Sequence, residues 1–564
     1  MLSGWDFAVI AAYVLVLLGI GFWVSRHLKG SEDIFLGGRS VRWYNIAASI
    51  FGTNVGPAFL IASCAAAYGM GMVTASFEWL AWVLLFLLCT VFLPHYLNMG
   101  ITTMPEFVNR RFGTPAHDFL SYYALFTTLI LWITGALYPG ALLLGQMMSW
   151  PLWLSAAALM ALCLFIAASG GLLAIAITDT YQTVLIIGGA LAMTLIGLHH
   201  VGGLGRLVQA TPPHYWELFR PLSDKQYPWL TLILGYPVLG LWFWCTDQTM
   251  VQRVLAARGY RQAVGGCLAA GFLKIIPPLI FMMPGIMCFV LHPGLKSPDE
   301  AYLTMVTNYL PAGMRGLIFV VLIAALVTTV DAGINSFSTI FTLDIWVRRF
   351  RPRASKQEIR NLGRVITGII SVLAVLCAIA MGGVGRDLFS LFQAIIGYVA
   401  PPVAAVFLVG VLWRRATGRA AFLTLAGGTT LCLTIGALDF YNKPLLVKGF
   451  NALLPWTFTE PPHFLYLSFA LFILCLTAMV IISLVTRAAP GEESLPRLGE
   501  AYAKIGARMR WLFAGWAGLA VVMVALYVGF EKLSHRPPAA PPAAVQVQDK
   551  QPEKGQLDYI EKIK

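Results

Sequence analysis

Apolar runs of about twenty residues recur from one end of this 564-residue chain to the other. Hydrophobic residues make up 58% of the sequence and charged residues only 12%, a balance that excludes a water-soluble domain. Each run is long enough to cross the hydrocarbon core of a bilayer as an α-helix. The sequence therefore predicts an all-α integral membrane protein with about fourteen transmembrane helices, at 5–25, 41–66, 70–94, 118–145, 151–168, 171–198, 229–252, 265–291, 313–346, 362–382, 387–412, 419–438, 464–485 and 511–530.

Basic residues are divided unevenly between the two alternating sets of loops. One set holds 24 lysines and arginines, whereas the other, without the C-terminal tail, holds eight. Because the more positive loops stay in the cytoplasm, both termini are predicted to lie outside a plasma or inner membrane. The membrane topology thus explains the net charge of +13. The sequence therefore predicts that the protein contacts membrane lipid and does not bind nucleic acid.

One predicted span is interrupted by residues that a lipid-crossing helix does not need. The run Ala48–Pro57 contains two glycines, a proline, a threonine and an asparagine. Proline removes a backbone donor and glycine weakens a helix, so backbone carbonyls are left without partners. Lipid supplies none, and such a break at mid-membrane depth is usually a binding place for something polar. A purely structural kink is the alternative interpretation.

A second interruption begins near residue 229, five spans after the first. It contains Gly235-Tyr236-Pro237 and Gly240, and the run 242–248 follows. Two broken helices at matching places in two five-helix halves indicate an inverted-repeat transporter. The predicted organisation is an N-terminal extra helix (1–30), the first part of the core (40–260), the rest of the second repeat (261–415), C-terminal extra helices (416–531) and a disordered Pro/Ala-rich polar tail (532–564).

Ionisable residues inside the spans are the next signal, since each costs from about 3 to above 10 kcal/mol at mid-bilayer unless it faces a partner, a cavity or an ion. They are Glu78, Asp179, Asp247, Lys274 and Asp331. Lys274 is expected to be the only basic residue within a span and to pair with Asp247 or Glu78. For Asp247, a structural salt bridge is the main alternative to a binding role.

Hydroxyl residues accompany one of these aspartates. Thr328 and Asp331 are three residues apart and share a helix face. Hydroxyls and bare carbonyls are suitable ligands for a hard monovalent cation, although threonine also commonly bonds back to its own helix.

The motifs at these positions resemble those of the sodium/solute symporter family, most closely its sodium/glucose cotransporter branch. The similarity runs along about 500 residues. It is carried by the segments Ile34–Ser40, Thr103–Phe107, Arg110–Gly113, Trp244–Gln248 with Val251–Arg253, Leu273-Lys274, Asn335–Ile345 and Pro401–Phe407. The resemblance implies a LeuT-type fold and sodium-coupled import of a sugar or polyol by alternating access, with Na⁺ as the bound ion.

The resemblance also implies a common sodium site. Its ligands are the backbone carbonyls of Gly52, Val55 and Ala325 and the hydroxyls of Thr328 and Thr329. Some family members bind a second sodium ion with an aspartate equivalent to Asp179 and with hydroxyl residues at the positions of Asp331 and Ala332. Here a carboxylate and a methyl group replace those hydroxyls, so Asp179 and Asp331 are predicted to form a second cation site, for Na⁺ or H⁺.

For the substrate, the resemblance implies contacts from Asn54, Glu78, Lys274 and Gln393, with Phe243 and Trp244 near the inner gate and Asp247 close by. Two positions depart from the glucose-transporter pattern: Phe59 replaces a histidine and Ser390 an aspartate. These changes point to another hexose, an inositol or a less polar polyol, with relaxed selectivity.

Other functions stay open at this stage. A symporter of an organic acid or amino acid would place Glu78 against a like charge, and a solute sensor that does not transport is hard to exclude. An enzyme is not predicted, because the spans contain no HExxH pair or GxSxG elbow. The substrate, the ion stoichiometry and the oligomeric state are not defined by the sequence.

Overall fold

The computed structural model describes residues 3–27, 35–224, 226–381, 388–453, 459–487, 495, 498–505 and 510–535. Within these ranges the regular secondary structure is helical. Two isolated β-bridges, between Val41 and Ala257 and between Arg220 and Pro228, lie outside any strand. The predicted tail falls almost wholly outside the described residues, although its first residues, up to Ser534, belong to the last helix.

The described residues of the first half of the chain form thirteen α-helices. They are α1 (Gly4–His27), α2 (Trp43–Asn54), α3 (Pro57–Met70), α4 (Ser76–Trp79), α5 (Ala81–Leu87), α6 (Leu93–Met99), α7 (Met104–Phe112), α8 (Thr114–Thr127), α9 (Gly135–Met148), α10 (Leu152–Val201), α11 (Leu204–Ala210), α12 (Trp229–Gly240) and α13 (Gln248–Leu255).

The second half adds eleven. They are α14 (Tyr260–Leu273), α15 (Met283–Leu291), α16 (Glu300–Tyr309), α17 (Met314–Ile340), α18 (Lys356–Ala380), α19 (Leu388–Leu412), α20 (Gly418–Tyr441), α21 (Lys443–Leu453), α22 (Phe464–Val485), α23 (Leu498–Ile505) and α24 (Arg510–Ser534).

Several helices continue through one wider, π-helical turn. Such turns occupy Leu88–Phe92, Thr128–Thr134, Leu241–Thr246, Pro278–Met282 and Phe341–Val347. A π turn shifts the face that later side chains present, and it is common beside functional sites. The turn at 241–246 leads directly into the extended residue Asp247, where the helix stops before α13 begins.

Twelve helical stretches among the described residues are long and apolar enough to cross a membrane. One of them covers Pro57–Met99, which is longer than a single crossing needs, and Leu152–Ala167 is a further, shorter apolar helix. The predicted spans 151–168 and 171–198 both lie within the 50-residue helix α10. The count of fourteen stays a prediction, as do the internal repeat and the proposed division of the chain.

Helix α17 lies at the centre of the bundle. In the most apolar 18-residue stretch of α17, 94% of the residues are buried. The corresponding share is 22% in the outer helices α1 and α24. It packs against α10, α1, α2 and α18. A helix that is apolar around its whole circumference and enclosed by others fits this position, and the polar residues it carries must then face other helices.

The N-terminal helix α1 is fastened to the start of α17 through Asp6. The buried Asp6 carboxylate accepts hydrogen bonds from the backbone N–H groups of Gly313, at 2.8 Å, and Gly316, at 2.6 Å. These groups are unpaired donors at the beginning of α17, so Asp6 acts as a helix cap supplied from a distant segment. The added helix therefore holds the central helix in position.

Candidate ion and substrate site

The first interruption lies between α2 and α3. Helix α2 ends at Asn54, Val55 leaves the helical region at φ −92° and ψ 73°, and Gly56 is extended. Pro57 then starts α3, a position that proline favours because its missing N–H would be unpaired there. The last carbonyls of α2 are thereby released inside the bundle.

Two threonines of α17 face this end of α2. The Thr328 hydroxyl donates to the Gly52 carbonyl at 2.8 Å and lies 3.0 Å from the Ala325 carbonyl. The Thr329 hydroxyl donates to the Thr53 carbonyl at 3.1 Å and lies 3.0 Å from the same Ala325 oxygen. Both threonines thus bond back to their own helix and also across to α2.

Glycine permits this close approach of the helices. A Cβ atom at Gly52 would lie 3.2 Å from the Thr328 methyl group and 3.3 Å from the Thr183 hydroxyl. At Gly56 it would lie 3.1 Å from the Thr329 hydroxyl. A larger residue at either position would require the threonine side chains of α17 to shift by a few tenths of an ångström, and these side chains carry the hydroxyl groups of the site.

Four of the five predicted sodium ligands, Gly52, Ala325, Thr328 and Thr329, are therefore brought together. The fifth, Val55, is fully buried at the break itself, three residues beyond Gly52. The oxygens are neutral carbonyls and hydroxyls, and rotating the hydroxyl hydrogens away would leave their lone pairs available to a cation. This donor set fits a hard monovalent ion such as Na⁺.

A second buried polar cluster lies next to this one, between α10, α2, α13 and α17. Asp179 accepts a hydrogen bond from the Ser49 hydroxyl at 2.5 Å. One carboxylate oxygen of Asp179 and one of Asp331 have no hydrogen-bond partner among the described residues, and both residues are about 1% exposed. Buried carboxylates need a compensating charge, so this cluster is suited to a cation.

Arg253 supplies one positive charge to the cluster, and this differs from the sequence-based expectation. The residue is 2% exposed, donates to the Thr53 hydroxyl at 3.0 Å and to the Thr249 carbonyl at 2.7 Å, and lies within electrostatic range of the carboxylates of Asp179, Asp331 and Asp247.

Lys274 is consequently not the only buried basic residue in the core. Arg253 was assigned to a cytoplasmic loop because it follows the predicted span 229–252 by one residue. The break at Asp247 returns the chain into the bundle as α13, which keeps Arg253 inside. The excess of four intramembrane acids over one lysine was a signal that another cation was required.

A cavity of about 160 Å³ opens beside the first break. One water molecule needs only about 10–15 Å³ of such space, so a small organic molecule can be accommodated. The predicted substrate residues that line it are Asn54, Phe59, Glu78, Phe243, Trp244 and Gln393. Thr53, Gly56 and Thr329 also line it, so the cavity and the oxygen cluster share a wall.

A buried ion pair stands at one end of this cavity. Lys274 Nζ lies 2.7 Å from Glu78 Oε2, and the Asn54 amide donates to Glu78 Oε1 at 3.2 Å. The ammonium group also lies 4.9 Å from the centre of the Trp244 ring, close enough for a cation–π contact. Of the two partners expected for Lys274, the structure has Glu78.

Asp247 has a different position. It does not line the cavity; instead it forms the N-cap of α13, where its carboxylate accepts a hydrogen bond from the Thr249 N–H at 2.9 Å. Lys274 does not line the cavity either and acts on it through Glu78 and Trp244. The side chain of Ser390 is outside the described part of the chain.

Several lining residues were not predicted from the sequence. They include Trp132 and Tyr236, both about 5% exposed, and Phe392. Trp132 and Phe392 belong to runs of apolar residues that look like ordinary span interior. Tyr236 adjoins Pro237, where the sequence predicts an interruption, and that position was the available signal. The predicted place of the interruption is wrong: α12 continues through Pro237 to Gly240, and the helical backbone stops only at Asp247, because a proline within a helix can be accommodated where neighbouring helices enclose it.

Solved structures with the same fold are LeuT-type transporters. A Na⁺-coupled sialic acid symporter aligns with a TM-score of 0.74 at 20% identity, covering 86% of this chain and 99% of its own. Mhp1, a nucleobase-cation-symport-1 family transporter, aligns with a TM-score of 0.53 at 14% identity, covering 85% and 99%. The protein is therefore a multi-pass membrane protein with the fold of these transporters.

Sequence comparison defines the family. The model of the sodium:solute symporter family matches residues 34–428, well over half of the chain, and this protein belongs to that family. It is 33% identical to the human sodium/glucose cotransporter 4, over 88% of this chain and 78% of the relative. A sodium/mannose cotransporter of Bos taurus is 33% identical, over 86% of this chain and 88% of the relative. Sodium/myo-inositol cotransporter 2 of Oryctolagus cuniculus is 32% identical, over 87% of this chain and 78% of the relative.

Proposed function

We propose that this protein is a sodium-coupled symporter that imports a sugar or sugar-like polyol across a plasma or inner membrane by alternating access. One observation carries the proposal: the Thr328 hydroxyl and the Gly52 carbonyl meet at 2.8 Å beside a cavity whose wall includes the next residue of each helix, Thr53 and Thr329. An ion bound there would contact both the broken helix α2 and the central helix α17.

Coupling follows from that shared position. A sodium ion held by Gly52, Val55, Ala325, Thr328 and Thr329 would join α2 to α17 and order the end of α2. Asn54, the last residue of α2, reaches into the cavity and touches Glu78. Ion binding would thus fix a substrate contact, which makes the two binding events mutually favourable.

The energy available is sufficient for accumulation. Each sodium ion that moves inward gains about 2.3 kcal/mol per 100 mV, in addition to its concentration gradient. Since about 1.4 kcal/mol corresponds to a tenfold ratio, one ion per cycle can concentrate a neutral solute more than tenfold.

The polar groups of the cavity suit a neutral, hydroxyl-bearing substrate. Glu78 can accept from hydroxyl groups, and the amides of Asn54 and Gln393 can both donate and accept. Lys274 is neutralised by Glu78 at 2.7 Å, so the described residues around the cavity offer no free positive charge for a carboxylate. This favours a sugar or polyol over an organic acid or amino acid, and the sodium/glucose, sodium/mannose and sodium/myo-inositol relatives support the same class.

Asp179 and Asp331 are proposed as a second cation site, for Na⁺ or H⁺. With Asp247 they amount to three carboxylates around one guanidinium group, that of Arg253. A buried excess of negative charge is costly in a low-dielectric interior, and a transported cation would relieve it.

Uptake into proteoliposomes tests the function. A panel of radiolabelled hexoses, polyols, amino acids and organic acids is offered with an imposed sodium gradient, a proton gradient or none. We expect sodium-dependent, electrogenic accumulation of a sugar or polyol.

A matched pair of variants connects uptake to the ion site. Thr328→Ala removes a hydroxyl ligand and is expected to raise the sodium concentration for half-maximal uptake at least tenfold. Thr328→Ser keeps the hydroxyl and should stay within about threefold of the parent. Accumulation of an acid or amino acid instead would support the alternative substrate class; sodium-dependent binding without accumulation would indicate a sensor, and either result would contradict the proposal.

A further inference from the structure

The cavity has a polar end defined by charged and amide groups. Lys274, Glu78 and Asn54 are linked there by contacts of 2.7 and 3.2 Å. Lys274 directly follows α14, Glu78 belongs to α4 and Asn54 ends α2, so three separate segments converge to place hydrogen-bonding groups at one point. A substrate must present its hydroxyl groups to this end.

A row of aromatic rings leads away from the ion pair. The Lys274 ammonium lies 4.9 Å from the Trp244 ring, Trp244 lies 4.8 Å from Phe243, and Phe243 lies 5.0 Å from Trp132. All three rings line the cavity. The row therefore runs along the cavity from the polar end to Trp132, which lies just before helix α9.

The far end of that row is apolar. Leu131, Gly135 and Ala136 line the cavity around Trp132, and Phe392 and Ile396 of α19 face them. A Cβ atom at Gly135 would lie only 2.6 Å from the Phe392 ring, so the ring is packed directly on the α9 backbone. Among the described residues at this end, the Gln393 amide and the indole N–H of Trp132 are the polar groups.

Phe59 adds apolar surface to another wall of the cavity. Its ring lies 6.1 Å from that of Phe281 in an edge-to-face contact, and Ala58 and Ala62 of the same helix also line the cavity. Helix α3 thus contributes no hydroxyl or charged group to the cavity wall.

A cavity with one polar end and one apolar end does not suit a sugar or polyol ring that carries hydroxyl groups on every side. An inositol, or a hexose with its exocyclic hydroxymethyl group, would turn at least one hydroxyl towards this mostly apolar end. Among the described lining residues there, the Gln393 amide and the Trp132 indole N–H are the groups that could replace its hydrogen bonds to water. In a pyranose, C5 lies across the ring from C2. A sugar that offers its C2 and C3 hydroxyls to Glu78 and Asn54 would direct the substituent on C5 towards Ala136 and Phe392.

We propose, on the basis of the function proposed above, that the preferred substrate is a 6-deoxyhexose, whose C5 methyl group occupies the apolar end of the cavity. A methyl group gains from burial there, and the matching hydroxymethyl group would meet mostly apolar surface, with the Gln393 amide and the Trp132 N–H as the polar groups of the described lining at that end.

Matched sugar pairs that differ only in O6 test this proposal. Sodium-driven uptake into proteoliposomes is measured for D-fucose against D-galactose, 6-deoxy-D-glucose against D-glucose, and L-rhamnose against L-mannose. We expect kcat/KM to favour the deoxy sugar at least tenfold in the best-transported pair, in the range known for single small groups in apolar pockets. Equal or better uptake of the hydroxylated partner would overturn the substrate assignment while leaving the symporter intact. Failure of every sugar and every polyol to accumulate would instead overturn the function itself.

A pair of variants on α9 supplies the control. Ala136→Ser places a hydroxyl in the apolar end, and Ala141→Ser makes the same change at a buried position of the same helix that does not line the cavity. We expect the deoxy preference to fall about tenfold in Ala136→Ser and to stay unchanged in Ala141→Ser. An unchanged ratio in both variants, or an equal change in both, would contradict the proposed position of the methyl group.

Discussion

At Gly52 a single hydrogen atom allows a backbone carbonyl to reach the Thr328 hydroxyl of another helix. The neighbouring atoms already stand 3.2 to 3.3 Å from where a Cβ would be, so the fit depends on this one residue. Thr328 in turn has two carbonyls within 3.0 Å. A site for a weakly held cation needs many neutral oxygens at short range, and these two residues supply them without burying a charge.

Asp331 offers a sharper test at the same scale. Replacing it by asparagine keeps the shape of the side chain and removes one of three carboxylates around Arg253. If a second cation is held there, we expect the number of charges moved per substrate to fall by one. The measurement is the reversal potential of substrate-dependent current in proteoliposomes, at two pH values so that Na⁺ and H⁺ are distinguished.

Asp331→Glu is the control, since it retains the charge and should retain the stoichiometry. An unchanged charge-to-substrate ratio in Asp331→Asn at both pH values would contradict a second cation site at this position.

At the level of the helices, the interruptions place unpaired backbone groups inside the bundle, next to the candidate ion and substrate site. Gly56 and Pro57 end α2 and restart the chain as α3, and Asp247 ends one helix and caps the next. In both places irregular backbone lies within the bundle, where a cavity or another chain segment can satisfy it. The wider turn at 241–246 precedes the second break and turns Phe243 and Trp244 towards the cavity.

Close packing between helices makes a testable prediction for α3 and α15. A Cβ at Gly285 would fall 2.0 Å from the Cys64 carbonyl oxygen, so the two backbones touch. Gly285→Ala is therefore expected to destabilise the protein by about 2 kcal/mol or more, because the helices must separate. Thermal unfolding of the purified protein in detergent measures the change.

Gly188→Ala on α10 is the matched control. A Cβ there meets nothing within 4 Å, and alanine is the better helix former by about 1 kcal/mol. The midpoint should rise slightly or stay constant. Equal losses in both variants would show that the close contact at Gly285 has no special importance.

The whole molecule is organised around α17, which carries the threonines and Asp331 and is enclosed by α10, α1, α2 and α18. Lipid-facing helices such as α24 surround this core and expose apolar residues, among them Val521 and Val524. Movement of the core relative to outer helices is the kind of motion that alternating access requires.

Orientation in the membrane is tested by cysteine labelling. Lys296→Cys lies in a loop predicted to be outside, and Arg353→Cys lies in the basic loop predicted to be cytoplasmic; both positions are exposed. A membrane-impermeant maleimide added to intact cells should label only the first, and the second should react after lysis. The nine native cysteines lie in helices, eight of them buried, which keeps the background low. The reverse pattern would invert the predicted topology.

Much of this architecture can be predicted from the sequence because it depends on local properties. Apolar runs define membrane helices, and Gly56 with Pro57 marks the first helix break, whereas Pro237 lies inside the continuous helix α12. The residue types that surround the cavity were also largely predicted, through motifs that resemble those of the family. Arg253 shows the limit, since its sequence position beside a span gave no indication that α13 turns back into the core.

The sequence by itself determined the class of fold, the first helix break at Gly56-Pro57 and the residue types available for binding, since hydrophobicity and backbone propensity act over a few neighbouring residues. Only the tertiary structure decided that Lys274 pairs with Glu78, that Arg253 stands among the buried carboxylates, and that one end of the cavity is apolar. Those contacts join residues up to about 260 positions apart, for example Gly135 and Phe392, and they exist only because packed helices bring distant side chains within a few ångströms of each other.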